Sequence, residues 1–411
     1  MSRFRKAKER PHEGNEPMRV LVVSLCFFRV PPRKGGGVDY HTYKLVNALA
    51  ELGCEVHYIV DVADEAMFHE NVIRHQAGCY LLPLRAGFLG WVRNHFVANM
   101  FAFKATLSAL IRESFDFDVI HNHGNLSNLL TSMFNKRIPS VYTVHNPTPW
   151  LCAYPSSLER LFRVSAHKVV EEPSWRRVNR IIALNKATKS EIMRWGIPAE
   201  KIAVIYNGVD TDVFSPGLSS MNDLEKKYNI KNPYCLFVGQ LTPRKGVDYM
   251  LRALAHVNIN CAIVGDGHER GRLMSLAKSL RISNRVSFAG AVPFEVLRRL
   301  YAEASFFVFP SEAEGMPLTI LEAMSSGLPV IATSIPGTDE VVTENHNGFL
   351  VPPHNVEALR SRIQVLTDDC KSCKKMGDNA RRFVMNNFSW RSTAEKTIEV
   401  YRKTLETGDT C

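Results

Sequence analysis

Apolar residues fall along this chain in two ways: short unbroken runs, and longer stretches in which they recur every three or four positions. Unbroken runs predict buried strands, and the three-to-four spacing predicts helices packed against them. In the first half, strands are expected at Arg19 to Ser24, Cys54 to Asp61, Cys79 to Pro83, Asp118 to His121, Ser140 to Val144, Arg180 to Leu184 and Ala203 to Tyr206. A helix runs from about Asp39 to Leu52 and stops at Gly53. The pattern restarts after Asn207-Gly208 and the polar stretch Ser215 to Asn232, with strands at Tyr234 to Val238, Cys261 to Val264, Val286 to Ala289, Phe306 to Phe309 and Val330 to Ala332. Strands alternating with helices imply parallel sheets wrapped by helices. The chain therefore reads as α/β, with two doubly wound Rossmann-like domains over 18–207 and 208–387, a flexible basic segment 1–17 before them and a helix over 388–408 after them. Ligands of such sheets bind beyond the carboxyl ends of the strands, which places a site in the cleft between the domains.

With 411 residues there is room for two cores of ordinary size. No run of about 18 apolar residues and no signal-peptide pattern appears, so the expected location is cytoplasmic. Nine cysteines, an odd number, argue for free thiols rather than a disulfide framework. Cys370 and Cys373 form a lone Cys-x-x-Cys with no second pair, too little for a metal or redox site. Residues 1–200 carry 26 Lys and Arg against 18 Asp and Glu, most of the net charge of +10. A basic half suits an acidic membrane surface or a phosphorylated acceptor, or is simply solvated. No recognition helix or aromatic-basic platform points to nucleic acid. Trp91 to Ile111 reads as a long Phe-rich helix, either half-buried or lying against a membrane surface.

The most informative segment is Glu314-Gly-Met-Pro-Leu-Thr-Ile-Leu-Glu322, a loop entering a short helix that Gly327 and Pro329 close. The amides from Met316 to Thr319, with Pro317 in the first turn, lack helical partners and form a phosphate site. Carboxylates on either side of that site suit the hydroxyls of a nucleotide sugar, hexose on one side of a diphosphate and ribose on the other. Gly239-Gln240-Leu241-Thr242-Pro243-Arg244-Lys245-Gly246 joins a strand to a helix at the same cleft, so Arg244 or Lys245 can place a cation on phosphate. The glycines Gly35, Gly36 and Gly37 allow close approach of backbone to a diphosphate or acceptor. Gly265-Asp266-Gly267, directly after a strand, lacks the ribose selector of a nicotinamide site. His121, His123 and His145 end strands. No acidic or cysteine ligand neighbours them, so no metal is expected, and hydrogen bonding to sugar or proton shuttling from an acceptor is the expected role. Asp210-Thr211-Asp212 reads as turn and capping chemistry.

These residues resemble the retaining family 4 glycosyltransferases of the GT-B fold. The resemblance rests on Glu314 and Glu322 as a Glu-x7-Glu motif, on Phe309-Pro310-Ser311, Leu321-Glu322-Ala323-Met324 and Gly327-Leu328-Pro329-Val330, and on Asn207-Gly208-Val209-Asp210, Lys245-Gly246 and Gly265-Asp266-Gly267. It implies an N-terminal acceptor-side domain and a C-terminal donor-binding domain, with the last helix crossing back to the first. It implies hexosyl transfer from a UDP- or GDP-hexose to a hydroxyl acceptor, lipid-linked or not, with retention and without a cofactor. The implied catalytic residues are Glu314, Lys245 and His123. The implied donor site is Gly36, Gly37, Gln240, Arg244, Lys245, Glu314, Gly315, Met316, Pro317, Leu318, Thr319 and Glu322, with His123 and His145 toward the acceptor. One departure stands out: the family usually has Arg where this chain has Gln240. A catalytically silent nucleotide-sugar binder or scaffold, and an epimerase or phosphorylase on the same fold, are the alternative functions.

Overall fold

The computed structural model describes residues 16–24, 37–60, 67–77, 87–135, 137–145, 165, 167–217 and 227–408. The loop carrying Gly35 and Gly36, and the strand expected at Cys79 to Pro83, lie outside these residues. In chain order the first half contains β1 (Arg19–Val23), α1 (Gly37–Glu51), β2 (Glu55–Val60), β3 (Val72–Gln76), α2 (Gly87–Arg112), β4 (Val119–Asn122), α3 (Asn125–Phe134), β5 (Ser140–Val144), α4 (Glu172–Arg177), β6 (Arg180–Ala183), α5 (Lys186–Arg194) and β7 (Ile202–Val204). The second contains β8 (Tyr234–Val238), α6 (Val247–Leu254), β9 (Asn260–Val264), α7 (Arg270–Ser279), β10 (Val286–Gly290), α8 (Phe294–Glu303), β11 (Phe306–Phe309), α9 (Leu318–Ser325), β12 (Val330–Thr333), β13 (Gly348–Val351), α10 (Val356–Asp368), α11 (Cys370–Asn387) and α12 (Trp390–Gly408).

Two parallel sheets result, ordered β3-β2-β1-β4-β5-β6-β7 and β10-β9-β8-β11-β12-β13. Strands buried on both faces need continuous apolar runs. β1 meets this with Val20 to Val23 fully buried, and β11 with Phe306 to Phe309. α1 and α12 cover one face of the first sheet, where Val46 and Leu49 meet Tyr401 and Ile398. α2 covers the other through Ala102, Ala105 and Ala109, small residues that let it lie close to Leu21, Ile59 and Ile120. Two further clusters sandwich the second sheet.

Strand order reverses direction between β1 and β4 in the first sheet and between β8 and β11 in the second. Each reversal opens a crevice at the strands' carboxyl ends. The domains are tied where the chain passes twice: Val209 N donates to Phe388 O at 3.1 Å, and a Cβ on Gly208 would run into the backbone of Ser389 and Trp390. Glycine is required there, because the two crossing segments touch. Among the described residues no helix is long and apolar enough to cross a membrane. Cys370 and Cys373 are free thiols on α11.

Candidate active site

The loops after β8 and β11 meet in the second crevice. After β8 a single helical turn, Pro243–Lys245, ends at Gly246 with φ of 64°. A Cβ there would run into the carbonyl of Pro310, so glycine lets the two loops stack and brings Lys245 against the β11 loop. Glu314 is the meeting point. Its Oε1 accepts from Lys245 Nζ at 2.6 Å, Arg244 Nη1 at 2.9 Å and Ser311 Oγ at 2.8 Å. No described residue bonds its Oε2. Arg244 also donates to the carbonyl of Ala313, and Lys245 Nζ lies 5.2 Å from the centre of the Phe309 ring. Burial pushes the Glu314 carboxyl up, but the charges of Lys245 and Arg244 and the bonds from Lys245 and Ser311 hold it below the ordinary carboxylate range. Burial pulls the Lys245 ammonium down against the raising pull of Glu314.

Gly315, Met316 and Pro317 are buried and carry the chain from Glu314 into α9. Two carbonyls of this bend are held from the first domain: Asn185 Nδ2 donates to Gly315 O, and Asn207 Nδ2 to Met316 O at 2.9 Å. Leu318 packs against the α1–α12 core, and Thr319 follows it in the first turn, where amides lack helical acceptors. One turn on, Glu322 is only 8% exposed, so it is not the solvated glutamate that an isolated helix would allow. Its Oε2 accepts from Tyr301 Oη at 2.9 Å, and burial pushes its carboxyl up to about 7. Lys44 and Asp210 pair across the domains at 2.5 Å.

The three histidines expected from sequence come together. His121 is satisfied on both nitrogens, by Tyr401 Oη and Thr143 Oγ1 at 2.7 Å each, and acts as a structural link to α12. His123 Nδ1 and His145 Nε2 lie 3.0 Å apart. A fourth, His41 from α1, completes the group, with its ring centre 4.8 Å from that of His145. His41 Nδ1 contacts Asn207 Oδ1 at 2.7 Å, so the amide that holds Met316 also orients this imidazole. Burial lowers His41 to about 4, with the Asn207 bond opposing it, and lowers His123 and His145 as well.

Gln240 is exposed at the start of the loop after β8, and Gly37 opens α1. Gly36 lies outside the described residues. Arg244 and Lys245, either of which was expected to place a cation on phosphate, are both bonded to Glu314. Sequence reasoning did not single out His41 or Asn185. His41 lies four residues beyond Gly37 on the buried face of α1, a position that apolar periodicity marks only as core.

The Glu322 carboxyl gives a pH signature. Its folded-state value is raised, so between the ordinary carboxylate range and about pH 7 the folded protein binds more protons than the unfolded chain. Its contribution to stability therefore falls as pH rises through that window, by about 3 kcal/mol in all. Urea unfolding of wild type and Glu322→Gln at pH 5 and pH 8 measures this. Wild type should lose more stability than the variant on going to pH 8, and equal changes would contradict the assignment.

Residues 35–213 match the Glycosyltransferase Family 4 model and residues 220–383 match Glycosyl transferases group 1. An uncharacterized glycosyltransferase of Methanocaldococcus jannaschii is 27% identical, over 94% of this chain and 99% of its own. A D-inositol 3-phosphate glycosyltransferase of Kribbella flavida is 27% identical, over 97% and 98%. Among solved structures, sucrose-phosphate synthase from Thermosynechococcus elongatus superposes with a TM-score of 0.79 at 22% identity, over 96% of this chain and all of that one. Anabaena HepE in complex with UDP and glucose superposes with a TM-score of 0.72 at 21% identity, over 94% and 100%. With both halves matched to this family's models and the two facing parallel sheets of its fold, the chain belongs to the family 4 glycosyltransferases of the GT-B fold.

Proposed function

We propose that this glycosyltransferase moves a hexosyl group from a UDP- or GDP-hexose to a hydroxyl acceptor with retention at the anomeric carbon. The observation that carries the reading is the convergence of Lys245, Arg244 and Ser311 on one oxygen of Glu314 at the β8–β11 crevice. In this reading Glu314 Oε2 accepts from hydroxyls of the donor hexose, and Glu322 accepts from the ribose. Lys245, Arg244, the amides around Leu318 and Thr319, and the Gly36-Gly37 loop take up the diphosphate. His123 and His145 face the transferred sugar and the acceptor. The bond from the anomeric carbon to the phosphate oxygen breaks, the acceptor hydroxyl gives its proton to that oxygen, and the new bond forms on the same sugar face. Preorganised cations and amides stabilise the departing charge, so no resident cofactor is called for. The complexes of Anabaena HepE with UDP and with UDP-glucose support a nucleotide-sugar donor. The exposed Gln240 leaves the second cation of the family pattern to Arg244.

The proposal extends to a lipid-linked acceptor reached at a membrane surface. Phe96, Met100, Leu107 and Ile111 are exposed along one stripe of α2, and Met133 and Phe134 continue it on α3. Lys104 and Arg112 are exposed on the same helix, a combination suited to an anionic interface.

Two experiments test these readings. Nucleoside diphosphate release is followed with UDP-, GDP- and ADP-hexoses, with and without candidate acceptors. Wild type should release diphosphate from one donor in an acceptor-dependent way, with Glu314→Gln at least about 100-fold slower. Binding without release would favour the silent alternative, and no binding to any donor would overturn the reading. Sedimentation with anionic phosphatidylglycerol vesicles checks the membrane extension. Wild type should pellet, less so with Phe96→Ser and Ile111→Ser together, and equal recovery in the supernatant would remove it.

A further inference from the structure

Cys370 and Cys373, which sequence alone leaves without chemistry, hold defined positions in the second domain, away from the β8–β11 crevice. Cys370 is the first residue of α11 and is exposed, while Cys373 stands three residues on and is 7% exposed. Asp369 caps the helix, its carboxylate accepting from Lys371 N at 3.1 Å and Ser372 N at 3.0 Å, so the turn that carries both cysteines is fixed. Residues three apart on a helix share a face, with Cα atoms about 5 Å apart. That separation lies inside the roughly 4.4–6.8 Å that a disulfide spans.

The two thiols are chemically unlike. Cys373 Sγ donates to the carbonyl of Ser305 at 3.3 Å and belongs to the core cluster that includes Met376 and Leu366. Burial, aided by the charges of Cys370 and Asp369, pushes this thiol up to about 11, which keeps it a protonated donor. Cys370 faces solvent beside Lys371, Lys374 and Lys375, all exposed on the same turns. Of the acids before it, Asp369 is engaged in the cap and Asp368 accepts from Gln364 Nε2 at 2.8 Å. The lysines suit an anionic thiol compound, and with the first-turn amides they stabilise the negative sulfur that develops during thiol–disulfide exchange. An accessible thiol in front of a buried one is the arrangement such exchange needs. Cys235 and Cys261, partners across β8 and β9, lack it, because they are 0% and 2% exposed.

We propose that Cys370 and Cys373 form a dithiol–disulfide couple that exchanges with small anionic disulfides of the glutathione class. Cys370 Sγ attacks one sulfur of glutathione disulfide. That S–S bond breaks, the first glutathione leaves with the proton of Cys370, and a mixed disulfide remains on Cys370. Cys373 Sγ then attacks Cys370 Sγ, and the second glutathione leaves with the proton of Cys373. The protein dithiol is oxidised and glutathione disulfide is reduced to two thiols, with no further reactant. Closing the bridge removes the S–H donor from the carbonyl of Ser305, which directly precedes β11, the strand that leads to the Glu314 loop. The inference does not depend on the identity of the sugar donor or the acceptor.

The test uses the full chain, reduced, freed of reductant and mixed with glutathione disulfide. The reaction is quenched in acid, and the protein is unfolded, alkylated, cut with trypsin and mapped by mass spectrometry. Trypsin cuts at Lys371, between the two cysteines, so the bridge appears as a pair of linked peptides. Wild type should give that linked pair as the main form of these peptides, and dithiothreitol should abolish it. Cys373→Ser should stop at a glutathione adduct on Cys370. Cys370→Ser should carry no adduct on the buried Cys373, and Cys235 and Cys261 should be recovered as free thiols throughout. Unlinked peptides in wild type would overturn the inference, and so would an adduct on Cys370 that persists in wild type as it does in Cys373→Ser. If Cys373→Ser fails to fold, wild type and Cys370→Ser still decide: absence of the linked pair, or an adduct on Cys373, overturns the couple.

Discussion

The second domain's site depends on one carboxylate oxygen, Glu314 Oε1, where Lys245, Arg244 and Ser311 all donate. Such a cluster is a weak source of stability, because desolvating the charges opposes their attraction. Its consequence is geometric. It fixes two cations beside the N-terminus of α9, and it leaves the second oxygen of Glu314 unbonded by any described residue. The same cluster holds Arg244, a second cation from the loop that carries Gln240, against Glu314.

The other half of the cleft is joined to this cluster through two amides. Asn185 and Asn207 reach from the first domain to the carbonyls of Gly315 and Met316, one and two residues beyond Glu314. Glu340 of the second domain returns the contact, accepting from Lys186 N at 2.8 Å and Tyr206 Oη at 2.7 Å. The Glu314 bend is therefore held from both domains. Asn207 also orients His41, so the histidine group and the carboxylate site share a positioning residue and would respond together to domain opening.

Much of this was legible in sequence because parallel strands buried on both faces leave strong apolar runs, as in Val20 to Val23 and Phe306 to Phe309. β3 was not, since Val72-Ile-Arg-His-Gln is an edge strand with Ile73 44% exposed and no apolar run. β13 was missed for a related reason: it is a four-residue edge strand that begins with glycine. Glu314, Lys245 and Glu322 were legible because the turn and helix signals around them fix their place. The bonding of Lys245 and Arg244 to Glu314 was not, since it joins residues about 70 positions apart. His41 was hidden by its position on an otherwise core-facing helix, where a histidine and a packed apolar residue leave the same trace.

The most direct measurement of the central claim, that the Glu314 cluster presents its cations to a diphosphate, is calorimetric titration of UDP and GDP into wild type and Lys245→Met. Loss of one charge-assisted contact should weaken binding of the preferred diphosphate by about 10- to 100-fold, with the fold intact by circular dichroism. Equal affinity in the two proteins would mean that the diphosphate does not meet Lys245, and would contradict the account.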